Sequence, residues 1–461
     1  MRDRYLNMPF NGLAVPAALL VWVTFAAENA AAQEADPPAP TAPDRSRVLY
    51  VDIPVPFEPG TDPEMPAPPR PAIPEDDPQY QVQVANLSDY SQSVAETEFN
   101  GGVWDQGLVE DLTALGQLQQ DLGNHPEAVQ IFDRAMHVSR INEGLHALDQ
   151  IPVVEMMIDS YRALADWQQV DLYENYLYYI QQKAYGSNDP RLIPVLDQLG
   201  QWNIEAFTIG HGEPLGLRLS TAQILFSAAV RMVGIHFDKD DRVVSFSRNL
   251  ARTAYLDKQY PEYVTELDRP EYRSAQDRMR DLYQGRRANS ARGYRVGAEA
   301  LTEVIRFYEQ SSDDPYLLAE AIADLADWEL IFDRRQLGLD LYAEAWAVLA
   351  DQPDSEELQQ RLFGQVLSVP TFAELPTNLL MGSTDSQERP GMRYDYADVV
   401  LDLTQYGAPR NVMVISEETE DNARQLDQLR RVVRSMTFRP MIVDGQAQES
   451  EGHHFRYRYW Y

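Results

Sequence analysis

Residues 112–135 read LTALGQLQQDLGNHPEAVQIFDRA, and this stretch decides the fold. Leu112, Leu115, Leu118 and Leu122 recur every three or four residues, the period of one apolar helix face. Gly123-Asn124-His125-Pro126 breaks the period, and a second helix face begins with Ala128, Ile131, Phe132 and Ala135. The two helices form a hairpin. Gly116, Ala128 and Ala135 are small enough for the helices to approach, and the Phe132 ring fills the gap above them.

The unit recurs. A shift of 42 residues carries Leu115-Gly116 to Met157-Ile158 and then to Leu199-Gly200. The same shift carries Leu122 to Leu164, Asn124 to Asp166 and Ala128 to Val170. A further hairpin, marked by Leu325-Ala326, Phe332, Gly338, Tyr342 and Ala345, lies three more steps beyond Leu199. In the third unit His211-Gly212-Glu213-Pro214 stands where the second helix should begin, which delays that helix to about Leu217. Residues 236–292 keep a helical period without the signature.

This spacing resembles the tetratricopeptide repeat, which places small and large packing residues at the positions of Leu115-Gly116, Gly123, Ala128, Phe132 and Ala135. Tyr185-Gly186-Ser187-Asn188-Asp189-Pro190 is similar to the inter-repeat loop of the long, kinesin-light-chain type of that repeat. The resemblance implies a mainly α fold, an α-α hairpin solenoid over residues 81–370. Each hairpin has an apolar face that only a neighbour can bury.

The period changes near the C-terminus. Val399, Leu401 and Leu403 alternate with polar residues, Tyr406-Gly407-Ala408-Pro409 turns the chain, and Val412 and Val414 mark a returning strand. A helix from about Glu420 to Ser435 should bury Leu426, Leu429, Val432 and Val433. Thr437-Phe438-Arg439-Pro440 opens another strand, Asp444-Gly445 signals a hairpin, and the chain ends on alternating Phe455-Arg456-Tyr457-Arg458-Tyr459-Trp460-Tyr461. This small α+β unit (β-β-α-β-β, residues 393–461) resembles the C-terminal domain of TonB-type energy transducers. The resemblance rests on the hairpin around Gly407, on Arg430-Arg431-Val432-Val433-Arg434 and on Phe438-Arg439-Pro440. It implies strand pairing with an extended peptide at an exposed sheet edge, for which the C-terminal strand is the candidate. A segment at 371–392 links this unit to the helices.

The N-terminal end reads as an export signal over residues 1–32. Arg2 and Arg4 precede an apolar run from Leu13 to Ala27, and Ala30-Ala31-Ala32 offers the small residues that a signal peptidase requires. That run reaches about 22 Å as a helix, short of a bilayer core of roughly 30 Å. A Pro-rich linker follows at residues 33–80, with 14 of the chain's 30 prolines between Asp36 and Pro78. Within it Val48-Leu49-Tyr50-Val51-Asp52-Ile53 is apolar enough to lie extended against a neighbour.

Composition bounds the function. The net charge of −33 argues against nucleic acid, and zero cysteines exclude disulfides, thiolate metal sites and cysteine nucleophiles. Residues 393–461 carry a net −2, so the acidity belongs to the linker and the helices. The familiar catalytic and nucleotide-binding motifs do not occur, and the residues ask for no cofactor or metal. His453-His454 would point to opposite faces of a strand, and Asp238-Lys239-Asp240-Asp241 lacks the turn glycine of a calcium loop. His137, Arg140 and Asn142 lie in a segment denser in polar groups than a repeat loop requires, fitting either a binding surface or a capped helix end. Arg456, Arg458 and Trp460 share one face of the C-terminal strand.

The expectation is an exported, periplasmic, non-enzymatic scaffold of a Gram-negative bacterium that binds a protein or peptide. An accessory of a TonB-type outer-membrane transport system and an enzyme acting on cell-wall material are the alternatives. Mature protein recovered from cells should begin near Gln33, as read by N-terminal sequencing. A membrane-bound product still carrying Met1 would make the segment an anchor.

Overall fold

The computed structural model describes residues 50–51, 55–56, 76–212, 214–261, 290–312, 314–373, 394–416 and 422–460. The signal segment, most of the Pro-rich linker, residues 262–289 and most of the 371–392 link lie outside the described residues. The fold is mainly helical, with a small sheet-bearing region at the C-terminus.

Helices α1 (Pro78–Gly101), α2 (Gly107–Asp121), α3 (His125–Glu143), α4 (Ile151–Ala163), α5 (Trp167–Tyr185), α6 (Ile193–Ile209), α7 (Leu215–His236) and α8 (Arg242–Gln259) follow one another as neighbours. After the gap come α9 (Ser290–Ser311), α10 (Pro315–Ile331), α11 (Arg335–Ala350) and α12 (Ser355–Phe363). α9 packs on both α8 and α10, so one apolar core runs from α1 to α12. Local chemistry sets the starts: α3, α4, α6 and α10 carry Pro in the first turn, where its missing N–H costs no helical bond. Asp166 caps α5 by accepting from the Gln169 backbone N–H.

The hairpin contacts follow the spacing. Ala128, Phe132 and Ala135 are fully buried, and a Cβ on Gly116 would come within 2.4 Å of the Phe132 ring. In the third unit Phe226 sits on Gly200 in the same manner, with a corresponding distance of 2.7 Å. Its helix, α7, starts at Leu215, two residues before the expected Leu217. Gly338 is pressed between Leu330 and the Ala326 carbonyl of α10.

The C-terminal unit comprises β4 (Tyr394–Leu403), β5 (Pro409–Val414), α13 (Ala423–Ser435), β6 (Thr437–Phe438), β7 (Met441–Val443), β8 (Gln446–Gln448) and β9 (Ser450–Trp460), and β3 (Ser368–Val369) precedes it at the end of the helical stack. Ala397, Val399, Leu401 and Leu403 of β4 form a core with Phe455, Tyr457 and Tyr459 of β9 and with Leu426, Leu429 and Val433 of α13. Val432, expected in this core, is only half-buried. Asp444 and Gly445 both take positive φ in the tight β7–β8 turn.

One expectation is corrected. β9 is not an edge strand. It pairs with β4 on one side, while β1 (Tyr50–Val51) and β2 (Val55–Pro56) of the Pro-rich linker pair with it on the other. Tyr50 and Val51 of the apolar stretch of the linker therefore find their neighbour at the far end of the same chain, and the rest of that stretch lies outside the described residues. Pro56 is tolerated because an edge strand needs no further donor on its outer side.

The terminal unit is also docked against the helices. β3, directly after α12, pairs with β6, and the Arg439 backbone N–H donates to the Leu367 carbonyl at 2.8 Å. The Arg439 side chain, 2% exposed, enters the helical stack. Its Nε and Nη2 donate to Asp327 at 3.1 and 2.5 Å, and Asp324 lies 3.6 Å away. The Tyr342 hydroxyl donates to the same Asp327, and Thr371 and Arg248 donate to Asp324.

Two stability changes follow. Ala128→Leu should overpack the first hairpin and cost about 1–3 kcal/mol; an unchanged melting temperature would mean the register is wrong. Arg439→Met leaves buried Asp327 without its cation, while Asp324 keeps Arg248, and should cost about 3–5 kcal/mol. Adding Asp327→Asn to that variant should recover part of the loss in the same melting assay.

Candidate functional site

The second hairpin departs from the first where it matters. The 42-residue shift that matches Gly116 to Ile158 matches Phe132 to Glu174. A carboxylate thus stands where the first hairpin has its filling ring, and a cleft of about 500 Å³ opens between α4, α5 and α6. Glu155, Ile158, Asp159 and Arg162 line it from α4, Glu174 from α5, and Gln198, Gln201 and Trp202 from α6. Glu155 and Asp159 are exposed at the mouth, whereas Glu174 and Trp202 are buried.

Arg162 organises the floor. Its guanidinium donates to Glu174 Oε1 at 2.9 Å and to Glu205 Oε2, and lies over the Trp202 ring with Cζ 5.2 Å from the centroid. The indole of Trp202 is fixed by donating to Asp171 at 2.7 Å, and Asp171 in turn accepts from Arg218. Burial pushes Glu174 up to about 7, although Arg162 pulls the other way. Glu205 is raised by burial against the same opposing charge. Asp159 is also raised by burial, and Glu155 by burial and then by the Asp159 charge. Two buried oxygens on this cleft, Glu174 Oε2 and Gln201 Oε1, have no well-formed hydrogen bond among the described residues, although the Gln198 side chain lies close enough to the Glu174 carboxyl to favour its ionised form.

The expected surface residues fall elsewhere. His137, Arg140 and Asn142 lie on the last turns of α3 and meet the α1–α2 loop. His137 contacts the Trp104 ring at 5.2 Å, and Asn142 donates to the Trp104 carbonyl at 2.9 Å. Arg140 lies over the Tyr176 ring at 5.2 Å. Asn142 ties down the helix end, as a cap would, and Ile141, Glu143 and Leu145 beside it are exposed.

On β9, Arg456 forms a two-pronged pair with Asp398, its partner across β4, at 2.7 and 2.9 Å. Arg458 is half-buried, and the side chain of Trp460 lies outside the described residues. The structure does not bring these three together with His137, Arg140 and Asn142.

The Asp238–Asp241 run is tied to its surroundings, with Asp240 holding Arg242 and Lys239 donating to the Gln310 carbonyl of α9. Among the described residues no group of three or more His, Asp or Glu is placed to hold a metal ion. The cleft was missed because Glu174 reads as one more charge in an acidic chain. The signal available was its repeat position, where a carboxylate replaces a buried aromatic. No family model matches this chain, and no curated protein matches it.

Proposed function

We propose that this protein is an exported, periplasmic scaffold that binds a protein or peptide through its tetratricopeptide-like helical stack, with a TonB-C-like unit docked at the end. The observation that carries this reading is the surface where the α1–α2 loop meets the end of α3. Val103, Trp104, Ile141 and Leu145 are about half exposed or more, at 54, 49, 51 and 65%. The Asn142–Trp104 bond holds the α1–α2 loop on the end of α3, with His137 and Arg140 supplying polar groups beside it. Apolar side chains gathered on a fixed surface and rimmed by polar ones favour a macromolecular partner over a small substrate.

A second reading starts from the cleft. A carboxyl at about 7, beside other carboxylates, has the protonation a general acid needs, which suits hydrolysis of cell-wall material. Turnover of soluble peptidoglycan fragments, lost in Glu174→Gln, would move the protein among enzymes.

For the scaffold, the full chain immobilised against periplasmic extract should retain a partner. Trp104→Ala should weaken capture of that partner about tenfold or more with little change in melting temperature. Undiminished capture by the variant would take this surface out of the function.

A further inference from the structure

The cleft between α4, α5 and α6 has a composition that selects its occupant. We propose that it is a binding site for one cationic side chain, an arginine or lysine presented by the partner. This deepens the scaffold reading and rests on it for the source of the side chain.

Of the two orphaned groups on the cleft, Gln201 Oε1 is an acceptor and Glu174 Oε2 is one in its ionised form. Buried acceptors are normally satisfied by protein groups or ordered water, so an occupant that displaces water from this cleft has to bring N–H or O–H donors of its own. An ammonium offers three and a guanidinium five, from one group. Charge narrows the choice further. Glu155, Asp159, Glu174 and Glu205 surround a single resident cation, Arg162, which excludes an anion and leaves a neutral donor with no electrostatic gain. The two mouth carboxylates, one helical turn apart on α4, face the solvent from which such a side chain would enter. Ile158 and Trp202 supply apolar walls for its methylene stem.

The fold explains why this hairpin has the space. In the first hairpin the Phe132 ring packs directly on Gly116, and in the third Phe226 packs on Gly200. Only the second places a carboxylate at the ring position, with Ile158 in place of the glycine.

Proton linkage gives the site a signature. Glu174 faces Arg162, Glu155 and Asp159 of α4 and Gln198, Gln201 and Glu205 of α6, with Asp197 behind Gln201. A cation entering among them favours the ionised form of Glu174, so a proton leaves as the ligand arrives. Affinity should therefore fall about tenfold between about pH 8 and pH 6.

The test is calorimetric titration of the full chain with N-acetyl-arginine amide, N-acetyl-lysine amide and the neutral N-acetyl-citrulline amide. The two cations should bind, and citrulline should bind about tenfold more weakly or not at all. Glu174→Gln should lose about tenfold for the arginine probe. Asp159→Asn, at the exposed mouth and without risk to folding, should lose several-fold. Equal binding of arginine and citrulline, no binding of arginine to the native chain, or unchanged affinity in both variants would overturn the site. If Glu174→Gln does not fold, Asp159→Asn and the citrulline comparison decide alone. A chain that captures a protein through the Trp104 surface yet ignores the arginine probe sinks only the cleft. A chain that binds the probe and captures nothing sinks only the scaffold.

Discussion

The buried guanidinium of Arg439 fixes how the two ends of this protein meet. It arrives from the terminal unit and is held by Asp327 and Asp324 of α10, residues that also engage Tyr342, Thr371 and Arg248. Burial pushes Asp324 up to about 6, with Arg248 and Arg439 opposing. A buried pair of this kind contributes little net stability against a well-packed apolar equivalent. Its contribution is geometric, because a planar fork on a carboxylate permits one orientation. With β3 pairing β6 directly alongside, residues 437–439 hold the terminal unit through backbone and side chain together.

Much of this was legible in the residues, and the failures have physical reasons. The small-large packing at Gly116 and Phe132 is a contact between helices adjacent in sequence, so its spacing survives in one dimension. The strand alternation from Val399 to Leu403 is local in the same sense. Arg439, by contrast, reads as part of a strand motif, and nothing nearby in sequence says that its partner lies 112 residues upstream. The pairing of Tyr50–Val51 and Val55–Pro56 with β9 is more distant still, and proline content disguises those residues as spacer. Glu174 failed for another reason. Matching the repeats by the residues that agree, such as Ala128 with Val170, passes over the one that disagrees.

The charge distribution and the cleft act at different ranges. An overall charge of −33, nearly all outside the terminal unit, acts at long range on any charged molecule that approaches and is screened by salt. The carboxylates around Arg162 lie within a few ångströms of one another and partly out of water, where screening is weak. General acidity alone would bind cations without selection. Acceptors fixed by burial, beside an indole held by Asp171, supply the directionality that selection needs.

The strand β9 closes the argument about where a partner can bind. A peptide adding to its outer side would repeat the backbone bonds that β1 and β2 already make, without any new donor to satisfy. The resident strands are attached in cis and so compete at an effective concentration of order millimolar. A free partner at lower concentration, offering the same backbone groups, loses that competition unless its side chains add what the linker lacks. Arg456, already held by Asp398, is committed to the sheet rather than to such a partner. With the outer side of β9 occupied, the proposed recognition by the helices, at the exposed Trp104 surface and in the cleft left where the ring is replaced, does not depend on that strand.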